Sequence, residues 1–204
     1  MKDVWELAKA NEAYIIDRRR YYHAHPEPSM QEVETTKAIA KDLEALGIEY
    51  KTFPDHTGVL GVIRGGKPGK GIMLRADIDG LSGVHEATGL PFASQNPDCM
   101  HACGHDTHIS VLLGAAKILN EIKHELCGTI NLCFEPAEET LQGASLMIKD
   151  GCLDGMDACF GMHTWSGHQR QGKLHEGEYH GRGRKVHRKG QGLCVTRRTS
   201  AGRT

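Results

Sequence analysis

The segment Gly71-Ile-Met-Leu-Arg-Ala76 constrains the fold most, because it is apolar enough to be a central strand and runs straight into Asp77-Ile-Asp79. A central strand needs neighbours to pair with and helices to cover it. The flanking sequence supplies both. Residues 48–53 and 58–63 read as extended, 129–134 as a strand and 158–162 as a short apolar strand. Val4, Leu7, Ala8, Ile15 and Ile16 predict an opening amphipathic helix that stops before Pro26. Ser29-Met-Gln-Glu32 fits a capping box for a second helix, with Val33, Ile39, Ala40, Leu43 and Leu46 on its buried face and Gly47 after its end. Ile109, Leu112, Leu113, Ala116, Leu119 and Ile122 mark a third from 107 to about 123, and a fourth covers about 141–150. Alternation of this kind predicts an α/β fold with a mixed sheet flanked by helices.

The patterning stops near residue 166. Residues 1–166 carry 15 Lys and Arg against 24 Asp and Glu, a net charge of −9, whereas 167–204 carry ten against two, a net charge of +8. That terminal segment has eight glycines and only seven strongly apolar or aromatic residues among 38, with neither strand nor helix period. It cannot bury enough apolar area to offset its ordering entropy. The expected division is a domain at 1–166 and an irregular, disordered basic tail at 167–204. An abrupt loss of pattern with enrichment in Arg and Gly is also what an out-of-frame translation from about residue 167 produces. A basic tail raises the question of nucleic acid, but Tyr179 is its only aromatic residue, so stacking platforms are absent and that partner is not expected.

No apolar run is long enough for a transmembrane helix. The opening MKDVWELAKANEAY interleaves acids with apolar residues and lacks a small-residue cleavage site, and seven cysteines without framework spacing read as reduced thiols. A cytoplasmic chain is the expectation.

Chemistry concentrates in Cys99-Met-His101-Ala-Cys103-Gly-His105-Asp106-Thr-His108, just before a predicted helix. Thiolate and imidazole separated by one glycine suit a borderline cation such as Zn²⁺. The plainer reading is a capping loop whose Asp106 satisfies free helix N–H groups and whose histidines are solvated. Glu135-Pro-Ala-Glu138-Glu139 follows the 129–134 strand, and acids there are equally at home at a helix start. Strand ends are where α/β sheets place ligands, and Asp77, Asp79 and His163 also stand at strand ends. Four strand ends or loops each carrying a metal-competent residue weigh against coincidence. The 65–71 Gly-rich stretch lacks Walker spacing and reads as a hairpin turn, and no Gly-x-Ser-x-Gly elbow exists.

Leu74-Arg-Ala-Asp77-Ile-Asp79, Thr88-Gly-Leu-Pro91-Phe, Met100-His-Ala-Cys-Gly-His-Asp106, Glu135-Pro-Ala-Glu-Glu139 and Gly161-Met-His163, in this order, closely resemble the M20 metallopeptidase family. The nearest branch is similar to amidohydrolases that cleave N-acyl amino acids, such as hippurate hydrolase and auxin-conjugate hydrolases. The resemblance implies the N-terminal part of a zinc-peptidase-like catalytic domain, with a smaller inserted dimerisation domain in full-length relatives, which are homodimeric. It implies two divalent ions, Zn²⁺ or Mn²⁺, with Cys103, His105, Glu139 and His163 as ligands. Glu138 corresponds to the general base that takes a water's proton and passes it to the leaving nitrogen, and Asp77 to a residue that orients the site. The small-molecule substrate it implies is an N-acyl amino acid. Relatives continue past the Gly-Met-His motif, through the inserted domain, to one more ligand histidine. Without that half, a remnant that binds metal and does not turn over is the rival expectation.

Overall fold

Helices and strands alternate along the chain. In order they are α1 (Val4–Ala10), α2 (Glu12–Ala24), α3 (Val33–Ala45), β1 (Glu49–Thr52), β2 (Val59–Arg64), β3 (Lys67–Asp77), β4 (Leu81–Ser82), β5 (Cys99–Met100), α4 (His105–Glu121), β6 (Cys127–Glu135), α5 (Gly143–Lys149) and β7 (Ala158–Gly161). The computed structural model describes residues 3–164. The basic segment 167–204, with its expected disorder and frame slip, therefore lies outside the described residues.

Five strands form one mixed sheet in the order β1-β2-β6-β3-β7, with β4 and β5 paired separately. The 71–76 segment is internal, as its apolar character requires: β3 pairs in parallel with both β6 and β7, while β2 runs antiparallel to β1 and β6. Strand alternation sorts side chains onto two faces. Ile130, Leu132 and Phe134 of β6, with Val59 and Ile63 of β2, join one core with Tyr22 of α2, Ile39 and Leu43 of α3, and Ile109, Leu112, Leu113 and Ala116 of α4. A Cβ at Gly61 would stand 3.2 Å from Leu43 Cδ1, so this glycine lets α3 settle close against the sheet. Leu60, Met73 and Cys133 form a smaller cluster with Met147 of α5 and Cys152.

Three local expectations give way to tertiary contacts. The opening helix is two helices, because Asn11 Nδ2 donates back to Leu7 O at 2.9 Å and breaks the run. Ser29 does not cap α3; its hydroxyl donates to Asp79 at 2.6 Å, and Glu27 instead accepts the Thr35 N–H at 2.7 Å. The 65–71 stretch is not a hairpin, since β2 and β3 lie on opposite sides of β6. It crosses the start of β6, with Gly65 N–H donating to Gly128 O at 2.8 Å.

The parallel strands end together. Asp77 is in register with Glu135, and Gly161 with Arg75 two residues earlier on β3, so three carboxyl ends open on one edge of the sheet. Among the described residues no helix is long and apolar enough to cross a membrane.

Candidate metal centre

His105 opens α4 after Gly104, whose φ of +88° is left-handed and suits a residue without a side chain. The His105 ring is fully buried, and its Nδ1–H donates to the Asp79 carbonyl at 2.8 Å. A carbonyl can only accept, so this bond fixes the tautomer and leaves a lone pair on Nε2. That lone pair faces acids: Asp77 Oδ1 at 3.7 Å, Glu138 Oε2 at 3.8 Å and Glu139 Oε1 at 3.7 Å. None is a hydrogen bond. His105 Nε2 and Glu139 Oε1 are both buried and have no hydrogen-bond partner among the described residues. An unsatisfied buried polar atom costs about 1–3 kcal/mol, so two that converge fit a cation between them.

Cys103 and His163 extend the cluster from α4 across to the end of β7, with Cys103 Sγ 3.4 Å from His163 Nε2. Candidate ligand atoms fall into three groups, each within 4.8 Å: Cys103, His105 and His163; His105, Glu138 and Glu139; Asp77, His105 and His108. His105 belongs to all three. His108 is already engaged at both nitrogens, since Nδ1 donates to Asp77 Oδ1 at 2.5 Å and Nε2 accepts the Thr164 N–H at 2.9 Å. It holds Asp77 in place and has no lone pair to spare.

Charge in the cluster is predominantly negative. Burial pushes the Asp77 carboxyl up, but the His108 hydrogen bond and the Arg75 guanidinium, donating to Oδ2 at 2.6 Å, hold it below the ordinary range. Glu138 is raised, by burial first and then by Asp77. The Cys103 thiol is pushed up to about 12, by burial and then by Glu139 and Glu138. A divalent cation reverses that logic, because its own charge becomes the largest in the site and favours thiolate and carboxylate. The loop carrying Glu138 and Glu139 is anchored on either side of Glu138: Ala137 N–H donates to Glu32 at 2.8 Å and Glu139 N–H to Asp79 at 3.0 Å.

The profile of peptidase family M20/M25/M40 matches residues 73–179, a span that takes in every one of these candidate ligands. The chain belongs to this family. The N-acetylcysteine deacetylase of Bacillus subtilis (strain 168) is 47% identical over 157 residues, covering 76% of this chain and 41% of that protein. The N-acyl-L-amino acid amidohydrolase of Geobacillus stearothermophilus is 40% identical over 161 residues, covering 78% of this chain and 43% of the relative. Among solved structures, the Bacillus subtilis YXEP protein, a dinuclear metal-binding peptidase of family M20, superposes with a TM-score of 0.74 at 46% identity, over 78% of this chain and 45% of that one. The chain thus spans less than half the length of each of these M20 relatives.

Within the M20 fold, the expected site residues Asp77, Cys103, His105, Glu138, Glu139 and His163 converge on the carboxyl edge of the parallel strands. The capping-loop reading fails: Asp106 is buried against Arg19 and His23, and His101, His105 and His108 are all buried. His101 lies outside the three ligand groups, and burial lowers its pKa to about 4. Sequence reasoning passed over Arg75, although its two-residue spacing from Asp77 on one strand puts both on the same face. It also passed over the anchoring role of Glu32, for which no local signal exists because its partner is 105 residues away.

Proposed function

We propose that residues 1–166 are the N-terminal part of a catalytic domain for metal-dependent hydrolysis of the amide bond of N-acyl amino acids, and that 167–204 lie outside it. The observation that carries this reading is the pair of buried, unpartnered atoms His105 Nε2 and Glu139 Oε1 facing each other at 3.7 Å. Cys103, His105, Glu139 and His163 would hold divalent cations, Zn²⁺ or Mn²⁺, two in number by analogy with the dinuclear relative. When bound, such ions supply Lewis acidity toward the amide carbonyl and toward water.

Glu138 is the proposed general base. It is only partly buried, with 30% of its side chain exposed, so it can meet both substrate and water. Burial and the neighbouring Asp77 raise its pKa, which suits a carboxylate that takes a proton from the attacking water and delivers it to the leaving nitrogen. Asp77 is held by Arg75 and His108 and fixes the negative wall behind His105. Relatives named for N-acetylcysteine and N-acyl-L-amino acids support the substrate class. A cytoplasmic location and dimerisation through the relatives' inserted domain belong to the same reading.

The alternative reading is a chain that binds cation without turnover. Calorimetric titration with Mn²⁺ or Zn²⁺, followed by assay of N-acetyl and N-benzoyl amino acids, separates the two. Binding with release of free amino acid supports the hydrolase. Binding without release leaves the non-catalytic remnant, and absence of binding overturns both.

A further inference from the structure

We propose that Glu32 is a positioning residue for the cation site: from the start of α3 it holds the turn that aims Glu138 and Glu139 at His105. This rests on the reading of those two acids given above. Glu32 is fully buried, and its two oxygens are used separately. Oε1 accepts the Ala137 N–H at 2.8 Å and Oε2 accepts the Thr57 hydroxyl at 2.5 Å. No Lys or Arg bonds to it among the described residues, so the carboxylate is spent on two neutral donors.

Ala137 lies two residues past the end of β6, in the turn that leads to Glu138 and Glu139. Its φ is +51°, a left-handed conformation that alanine adopts only under constraint, and it is fully buried. Pro136 before it has no N–H, so the Ala137 amide is the first donor after the strand that can fix the turn. The opposite side is closed by packing, since a Cβ at Gly58 would stand 2.8 Å from Pro136 Cδ. Beyond the turn, Glu139 N–H is held by Asp79 Oδ2, and the same Asp79 orients His105 through its carbonyl. Asp79 therefore ties the ligand imidazole to Glu139, and Glu32 sets the conformation of the residue just before Glu138. Charge-assisted bonds to a backbone amide are short and directional, which is what this turn needs.

A purely structural tether would make the same contacts, so the test reads cation affinity and folding separately. In the whole chain, Mn²⁺ binding is measured by calorimetry, thermal unfolding by circular dichroism, and the Ala137 amide by ¹⁵N NMR. Glu32→Gln keeps an acceptor for Ala137 and offers its amide to the Thr57 oxygen, so affinity stays within about threefold of wild type. Glu32→Asp folds but falls one methylene short. Its affinity drops roughly 10- to 100-fold, and the Ala137 amide resonance shifts. Should Glu32→Ala fold, it behaves as the Asp variant does. The proposal is overturned if folded Glu32→Asp binds Mn²⁺ as wild type does, or if Glu32→Gln loses as much affinity as Glu32→Asp. If the unaltered chain binds no cation, the functional reading falls and this inference falls with it. Normal binding by every Glu32 variant removes the inference alone.

Discussion

His105 and Asp106 are adjacent on the first turn of α4, yet they serve buried polar clusters of opposite design. Around Asp106 the charges are matched: Oδ2 meets Arg19 Nε at 2.8 Å and His23 Nδ1 at 2.7 Å. His23 Nε2 reaches Glu86 Oε1 at 3.2 Å, and Glu86 Oε2 accepts the Ser94 N–H at 2.7 Å. With a carboxylate at each ring nitrogen, the surroundings of His23 favour the protonated ring. Its pKa is raised accordingly, chiefly by the Asp106 hydrogen bond, which outweighs burial. Around His105 one nitrogen donates to a carbonyl and the other faces three acids without bonding to any of them. The same residue types thus make an ion-paired clamp in one place, with only Asp106 Oδ1 left over, and a candidate ligand set in the other. What separates them is where the second imidazole nitrogen points.

His23→Ala should break the clamp with the largest effect on folding. It leaves Glu86 buried without its histidine and Asp106 with Arg19 alone, so stability should fall by about 3–5 kcal/mol in denaturant unfolding. Cation affinity of the folded fraction should barely change. His105→Ala should do the reverse, lowering Mn²⁺ affinity on the order of 100-fold while relieving the convergence of acids on an unpartnered nitrogen. If His23→Ala abolished cation binding in a folded protein, the two clusters would be one functional unit and the distinction would fail.

The pH dependence of stability sharpens the same contrast. A histidine whose folded pKa is raised contributes fully below its unfolded value, roughly 6.5, and loses that contribution as pH rises through the folded value. Stability of the cation-free protein should therefore decline from pH 6 upward into the alkaline range, in step with His23. In His23→Gln that part of the decline should vanish from a series of thermal melts. A decline of equal size in the variant would assign it to other groups.

Periodicity was enough to find the elements that bury one face. The 71–76 run, the Ile109–Leu112–Leu113–Ala116 stripe and the 129–134 strand all take their expected places. The candidate site was legible for a related reason: its candidate ligands come in short motifs at strand ends and at one helix start, where local sequence and local geometry coincide. Capping, by contrast, was misread at Ser29, because its hydroxyl is claimed by Asp79, fifty residues on, and Glu27 takes over the helix end. The Gly-rich stretch after β2 was misread as a hairpin because strand order is a tertiary property. Nothing within residues 58–71 announces that β6 will insert between the strands they join. His23 and Glu86 were invisible for the same reason, lying 83 and 20 residues from Asp106 with no periodicity relating them.

The smallest expected effect comes from Glu135, which is paired beside the candidate site. Its Oε2 accepts from Arg75 Nε at 2.7 Å, while the same guanidinium donates to Asp77 Oδ2. One arginine therefore serves an acid of the candidate site and an acid beside it. Glu135→Gln is isosteric and keeps an oxygen for Arg75 Nε–H, so it removes a charge without removing a contact. Arg75 is 23% exposed and Glu135 only 9%, so the pair is largely buried, but the contact is kept and Arg75 retains Asp77, which limits the cost to at most about 2 kcal/mol. Stability should change by no more than that in chemical denaturation. Cation affinity should weaken slightly, within roughly fivefold, because one negative charge is lost near the acids and Arg75 is left more fully to Asp77. A loss as large as that of His105→Ala would make Glu135 a ligand in its own right. It would also move the boundary between ligand set and scaffold one residue pair further down β6.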